Sequence, residues 1–195
     1  MKAVLASNNA HKLQEIRAIL GDCFEHIYSL KELGVDVEVE ENGKTFVQNA
    51  IIKADTICRL TGLVAIADDS GLEVEALDGQ PGVYSARFAG EPYNDDANNA
   101  LLLDKLHTLE KTQPINRKAR FVSVVAICYP DGSGKYAEGF VEGTILDEYR
   151  GDKGFGYDPL FYCNQLSKTF AEASMEEKNT VSHRAMALQR LREML

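Results

Sequence analysis

Short apolar runs and helical stripes alternate along the first third of the chain. Ala3-Val4-Leu5-Ala6 is wholly apolar and is bounded by Ser7-Asn8-Asn9, the pattern of a strand buried on both faces. Behind it Leu13, Ile16, Ile19 and Leu20 recur at helical spacing, and Gly21 supplies a stop. A second helix is predicted from Thr45, with Phe46, Val47, Ala50, Ile51, Ala54, Ile57 and Cys58 on one face. Thr45 and Gln48 have capping-box spacing, and Gly62 ends the stripe. Leu63 to Ala67 is another apolar run, and it is expected to stop at Asp68-Asp69-Ser70-Gly71. Strand, polar turn, helix, strand is the opening of an α/β fold, in which ligands gather at the carboxyl ends of strands.

The rest of the pattern is less regular. Gly79 to Asn99 is rich in Gly, Pro, Asn and Asp and reads as a loop, followed by a helix from about Asn94 to Leu109. Ala119 to Tyr129 and Tyr136 to Leu146 are β-rich, and Asp131-Gly132-Ser133-Gly134 between them predicts a hairpin. Gly151 to Pro159 is a glycine-dense loop before a strand at Leu160-Phe161-Tyr162. A last helix opens at Ser182 and turns Ala185, Leu188, Leu191 and Leu195 inward. No repeat or linker interrupts the chain, so a mixed α/β fold with a long antiparallel hairpin, in one domain of two lobes over 1–195, is expected.

Composition narrows the function. The 195 residues carry 30 acidic against 21 basic side chains, a net charge of -9, which disfavours a grip on polymeric nucleic acid. A small anionic ligand stays open, because a local pocket can oppose the global charge. The four cysteines and four histidines are scattered, with no zinc spacing, and the cysteines are expected to be reduced. Neither a signal peptide nor a membrane span is predicted, so a cytoplasmic location with no membrane partner is expected.

Five segments carry chemistry. Ser7-Asn8-Asn9-Ala10-His11-Lys12 lies between strand and helix, where outward N–H groups and a lysine suit a phosphate, although polar turn residues also serve a local purpose. Glu38, Glu40 and Glu41 precede the second helix, and Asp68-Asp69 follow the second strand; adjacent buried carboxylates repel unless a cation or proton compensates. Gly154-Phe155-Gly156-Tyr157-Asp158-Pro159 sets a ring that can stack on a base between two glycines. His183 and Arg184 open the last helix as donors for carbonyl or phosphate oxygens.

In this order the motifs form a signature. Ser7-x-Asn9-x-x-Lys12-x-x-Glu15, Thr45-Phe46-x-x-Asn49-Ala50-x-x-Lys53-Ala54, Ala67-Asp68-Asp69-Ser70-Gly71-Leu72, Pro81 to Arg87, Gly154 to Pro159 and Ser182-His183-Arg184-Ala185 resemble the Ham1-like family of inosine/xanthosine triphosphate pyrophosphatases. The resemblance covers essentially the whole chain. It implies an elongated mixed central sheet with two α/β lobes, a nucleotide cleft between them, and a homodimer. It implies Mg²⁺-dependent hydrolysis of ITP, dITP or XTP to the monophosphate and pyrophosphate. By motif, Ser7, Asn8, Asn9, Ala10, His11 and Lys12 would bind the triphosphate, Lys53 would neutralise its charge, and Asp69 would be proton acceptor and metal ligand. Glu40 would be a second metal ligand, with Glu41 and Asp68 as alternatives. Ser70, Phe155, Gly156, Tyr157, Asp158, Lys178, His183 and Arg184 would complete the substrate site, the last two reading the 6-oxo group of the base. The rivals are a pyrophosphatase of the related Maf-like type acting on pyrimidine or modified nucleotides, against which the Phe155 loop and Ser182-His183-Arg184 favour purine, and a nucleotide sensor without turnover, which needs no general base.

Overall fold

A computed structural model describes residues 1–90 and 92–195. Glu91, inside the loop predicted after Gly79, lies outside the described residues. Helices and strands follow one another as β1 (Lys2–Leu5), α1 (Ala10–Leu20), β2 (His26–Ser29), α2 (Phe46–Thr61), β3 (Val64–Val74) and α3 (Asp95–Glu110). Then come β4 (Lys118–Cys128), β5 (Gly134–Ile145), β6 (Phe161–Cys163), β7 (Lys168–Thr169), α4 (Met175–Val181) and α5 (His183–Arg192). The strands form one seven-stranded sheet in the order β2-β1-β3-β4-β5-β6-β7. It is mixed: β1 pairs in parallel with β2 and β3, whereas β6 is antiparallel to both β5 and β7.

The chain divides into two compact units. The first comprises Met1–Asp69, Ser123–Gly139 and His183–Leu195, and the second Ser70–Val122 and Phe140–Ser182. In the first, Leu5, Ile16, Leu20, Ile66, Ile127 and Leu188 are fully buried in one apolar cluster. The second has its own core, in which Leu72, Leu102 and Leu106 pack with Phe121, Phe161 and Phe170. Phe121 and Phe161 meet at 4.6 Å between ring centroids, tilted by 55°. Each fully buried side chain of this size contributes roughly 1.5–3 kcal/mol, so each unit has an apolar core of its own.

Local chemistry explains the ends of the elements that flank the site. Asn9 caps α1, its Oδ1 accepting the N–H groups of His11 and Lys12 at 2.9 and 3.2 Å. Thr45 caps α2 by accepting the Gln48 N–H at 3.1 Å, and Gln48 Oε1 reaches past it to the Lys44 N–H at 2.7 Å. The α2 stop is Gly62, left-handed at φ 66.

One expectation is overturned. The second strand does not stop at Asp68; β3 runs on through Asp69, Ser70 and Gly71 to Val74. The two aspartates are tolerated in mid-strand because side chains of their own unit compensate both charges, as described below. The true terminator is the helical turn at Glu75–Leu77, closed by Asp78 at φ 52. Three elements were not anticipated. In β2 only Ile27 is buried, β7 has two residues, and α4 is announced by a capping box, Ser174 with Glu177, too short to show a stripe. Among the described residues no helix is long and apolar enough to cross a membrane, and the four cysteines are free thiols.

Candidate active site

The first unit buries a compact set of charges. Its centre is the Lys53 ammonium, delivered by the inward face of α2. It donates to the Asp68 backbone oxygen at 2.9 Å, lies 3.0 Å from Glu41 Oε1, and is 3.4 Å from Asp69 Oδ1. Burial works to lower the Lys53 pKa, but attraction to Asp69, Glu41 and Asp68 outweighs it, so the ammonium is held above the usual lysine value. Successive residues of a strand face opposite ways, which gives Asp68 and Asp69 different surroundings. Asp68 is fully buried and pairs through Oδ1 with Lys12, while its Oδ2 accepts from Arg184 Nε at 3.0 Å and Ser123 Oγ at 3.1 Å. Burial would raise its pKa; Arg184 and Lys12 overcome this and hold it far below the ordinary carboxylate range. Arg184, 3 % exposed, also donates to Glu15 Oε2 at 2.6 Å.

Asp69 is the opposite case. Burial raises its pKa, Lys53 pulls it down, and the nearby charges of Glu41 and Asp68 push it up again, leaving it above the ordinary aspartate value. Its Oδ2 is buried with no hydrogen-bond partner among the described residues. Asn49, wholly buried on α2, fixes the segment that carries Glu41 by accepting the Gly43 N–H at 2.8 Å. A carboxylate of raised pKa beside a buried ammonium is equipped to accept a proton in a site of high negative charge.

The Ser7 to Lys12 turn sits in the same unit. Ser7 Oγ accepts the Asn9 N–H at 3.1 Å, while Asn8, Ala10 and His11 are exposed. The expected outward N–H groups of His11 and Lys12 are taken up by the Asn9 cap. Lys12 lies on Asp68, and burial lowers its pKa against the pull of that partner.

In the second unit the Phe155–Asp158 loop is rigidly held. Asp158, 3 % exposed, accepts the Phe155 N–H at 3.0 Å and the Lys178 ammonium at 2.5 Å, both through Oδ2. That ammonium lies 5.1 and 5.0 Å from the ring centres of Phe155 and Phe170, a cation between two π faces. Gly154 is required: at φ 79 a Cβ there would come within 2.1 Å of Asp158 Oδ2. Phe155 itself remains 38 % exposed, and Tyr157 is buried with its hydroxyl donating to the Ser85 carbonyl at 2.7 Å. Ser70 lies half-buried in β3 of this unit.

Several sequence readings shift. Glu40 is exposed, and it is Glu41 that reaches Lys53 beside Asp69. Arg184 was expected to present donors to a base; its guanidinium instead lies buried on Asp68 and Glu15. His183 is buried at the first residue of α5. Sequence reasoning gave no role to Glu15, Ser123 or Asn49, although Glu15 and Asn49 stand inside quoted motifs. Among the described residues the trio with metal-ligand spacing is His107, Glu110 and Asp147 in the second unit, all exposed. Arg117 occupies it, bonded to Glu110 at 2.8 and 3.0 Å and paired with Asp147 at 2.6 Å.

A mixed seven-stranded sheet carrying a buried lysine–carboxylate set defines an α/β protein with a charged site suited to an anionic ligand. The Ham1 family profile matches residues 3–194, and the chain belongs to the Ham1 family. It is 52% identical to the dITP/XTP pyrophosphatase of Desulforamulus reducens, over 100% of this chain and 96% of that protein. The dITP/XTP pyrophosphatase of Bacillus subtilis is 45% identical at the same coverage. Among solved structures, the Ham1 protein of Staphylococcus aureus superposes with a TM-score of 0.88 at 42% identity, covering 100% of this chain and 97% of its own. That of Coxiella burnetii gives 0.89 at 41%, covering 100% and 98%.

Proposed function

We propose that the protein hydrolyses non-canonical purine nucleoside triphosphates (ITP, dITP and XTP) to the monophosphate and pyrophosphate, clearing deaminated purines from the nucleotide pool. The observation that carries the reading is the Lys53 ammonium shared by Asp69, Glu41 and the Asp68 carbonyl, with Asp69 poised as a base. The names of the relatives, dITP/XTP pyrophosphatases at 45 to 52% identity, support it independently.

In this reading Asp69 accepts the proton of a water whose oxygen attacks the α-phosphorus. The bond from that phosphorus to the bridging oxygen breaks, and pyrophosphate leaves. Lys53 and Lys12 neutralise the charge that develops on the phosphoryl oxygens, the dominant contribution in such reactions. Arg184 and Ser123 act through Asp68, which orients Lys12. Ser7 to His11 receive the phosphates, and the Phe155–Asp158 loop with Ser70, Lys178 and His183 receives the base. A magnesium ion fits the oxygen donors of the first unit, because Asp69 Oδ2 is a buried acceptor without a partner and Glu41 shares its lysine. Asp69 and Glu41 would hold the ion, which supplies charge neutralisation to the triphosphate. A homodimeric, cytoplasmic enzyme completes the reading.

The deciding experiment is pyrophosphate release from ITP, dITP and XTP, with and without Mg²⁺, beside ATP and GTP controls. Turnover of the deaminated purines in preference to ATP and GTP, and dependence on Mg²⁺, are expected. Equal rates across the panel would sink the substrate assignment, and no release would sink the reaction.

A further inference from the structure

Helix α3 enters none of the sequence motifs, yet its first turns grip the Phe155–Asp158 loop. Asp95 Oδ2 accepts the Gly156 N–H at 2.8 Å, and Asn99 Nδ2 donates to the Gly156 carbonyl at 2.8 Å. Four positions apart, the two side chains leave the same face of the helix. Asp95 is itself anchored, because the Tyr93 hydroxyl donates to its other oxygen at 2.5 Å, and Asn99 is 2 % exposed. The two peptides flanking Gly156 are therefore each tied once to α3. Within the loop the Phe155 carbonyl accepts the Asp158 N–H at 3.2 Å, so α3 adds a second tie to the peptide before Gly156 (φ 61) and holds the one after it; a flipped peptide exchanges an N–H for a carbonyl.

We propose that Asp95 and Asn99 are positioning residues for base selection: by holding the peptides on either side of Gly156 they fix the polarity and the Phe155 ring that the loop presents to a purine. The inference rests on the reading that this loop receives the base. Selection between a 6-oxo and a 6-amino purine is a contest between acceptor and donor, and a site that rejects the wrong partner must be unable to reverse its own polarity. Helix α3 removes that freedom in the second unit without having to touch the nucleotide.

The test uses Asp95→Ala, Asn99→Ala and Asp95→Asn in the full chain. Asp95→Asn keeps an acceptor oxygen for Gly156. For each variant, kcat and KM are measured with dITP and dATP, together with the thermal midpoint and hydrogen exchange of the Gly156 amide. Both alanine variants should narrow the dITP over dATP ratio of kcat/KM about tenfold, mainly through KM, with kcat on dITP within about threefold of wild type. Exchange at Gly156 should quicken by about tenfold or more, and Asp95→Asn should recover most of the ratio. A folded alanine variant whose Gly156 exchanges faster but whose ratio stays within about twofold of wild type overturns the inference. Should Asn99→Ala fail to fold, Asp95→Ala, at a half-exposed position, decides alone. If the wild type releases no pyrophosphate, the functional reading fails, and inosine monophosphate affinity by calorimetry then tests the clamp. Weaker binding by Asp95→Ala supports it, and unchanged binding overturns it.

Discussion

Asp68 gives its two oxygens to Lys12, Arg184 and Ser123, whereas Asp69 shares one with Lys53 and buries the other without a partner. Opposite consequences for stability follow. The folded pKa of Asp68 lies below its unfolded value, so its contribution is fully present above about pH 3.9 and is lost as pH falls through the folded value. Asp68→Asn should therefore cost about 3–5 kcal/mol at pH 7, as breaking a buried pair does, and the deficit should shrink on acidification. Urea melts at pH 7 and about pH 2 check this; equal deficits would refute it. Asp69 has the reverse sign. Its folded pKa is raised, so its ionised form opposes folding at neutral pH. Asp69→Asn should lower kcat by a factor of about 10²–10⁴ and yet raise the thermal midpoint in metal-free buffer at pH 7. A destabilised variant, or one with near-normal turnover, would contradict that pairing. In the wild type the acid limb of kcat/KM should fall above about pH 4, since the base must be ionised.

Among the elements, α5 shows how packing serves the site. Its first turn carries His183 and Arg184 against β5, and Gly139 is what allows the approach: a Cβ there would lie 2.1 Å from the His183 carbonyl and 2.5 Å from the Ala187 nitrogen. Gly139→Ala should force α5 outward, cost about 1–3 kcal/mol, and lower turnover by disturbing Arg184 on Asp68. Thermal melts beside activity measure both, and an unchanged midpoint would refute the packing argument. The same elements explain what the sequence could reveal. Helices α1 and α2 were legible because their stripes are local, and Asn9, Thr45 and Asn94 were all readable as polar residues before a helix. The true end of β3 was hidden because charged residues normally end a buried strand, and here their compensation comes from afar. Arg184 reaches Asp68 across 116 positions, a pairing that no local pattern encodes. That Glu41 and not Glu40 pairs with Lys53 was equally illegible, because the residues before α2 follow no regular period.

At the scale of the whole molecule, the net charge of -9 was expected to repel polyanions and still admit a metal-bearing nucleotide. The structure adds that the cations expected to meet the substrate are already engaged: Lys12 on Asp68, Lys53 on Glu41 and Asp69, Arg184 on Asp68 and Glu15, and Lys178 on Asp158. Substrate uptake through these side chains would then be an ion exchange. On the proposed reading the arriving triphosphate would take lysines from resident carboxylates, and the released carboxylates would be left to a divalent cation. Few small ions need leave for bulk solvent, so affinity should be far less sensitive to salt than four exposed basic residues would make it. KM for dITP should vary by less than about threefold between roughly 0.05 and 0.5 M monovalent salt, and a tenfold rise would show that the lysines work as solvent-facing charges after all. A resin preloaded with its own counter-ions does not foul with stray phosphate.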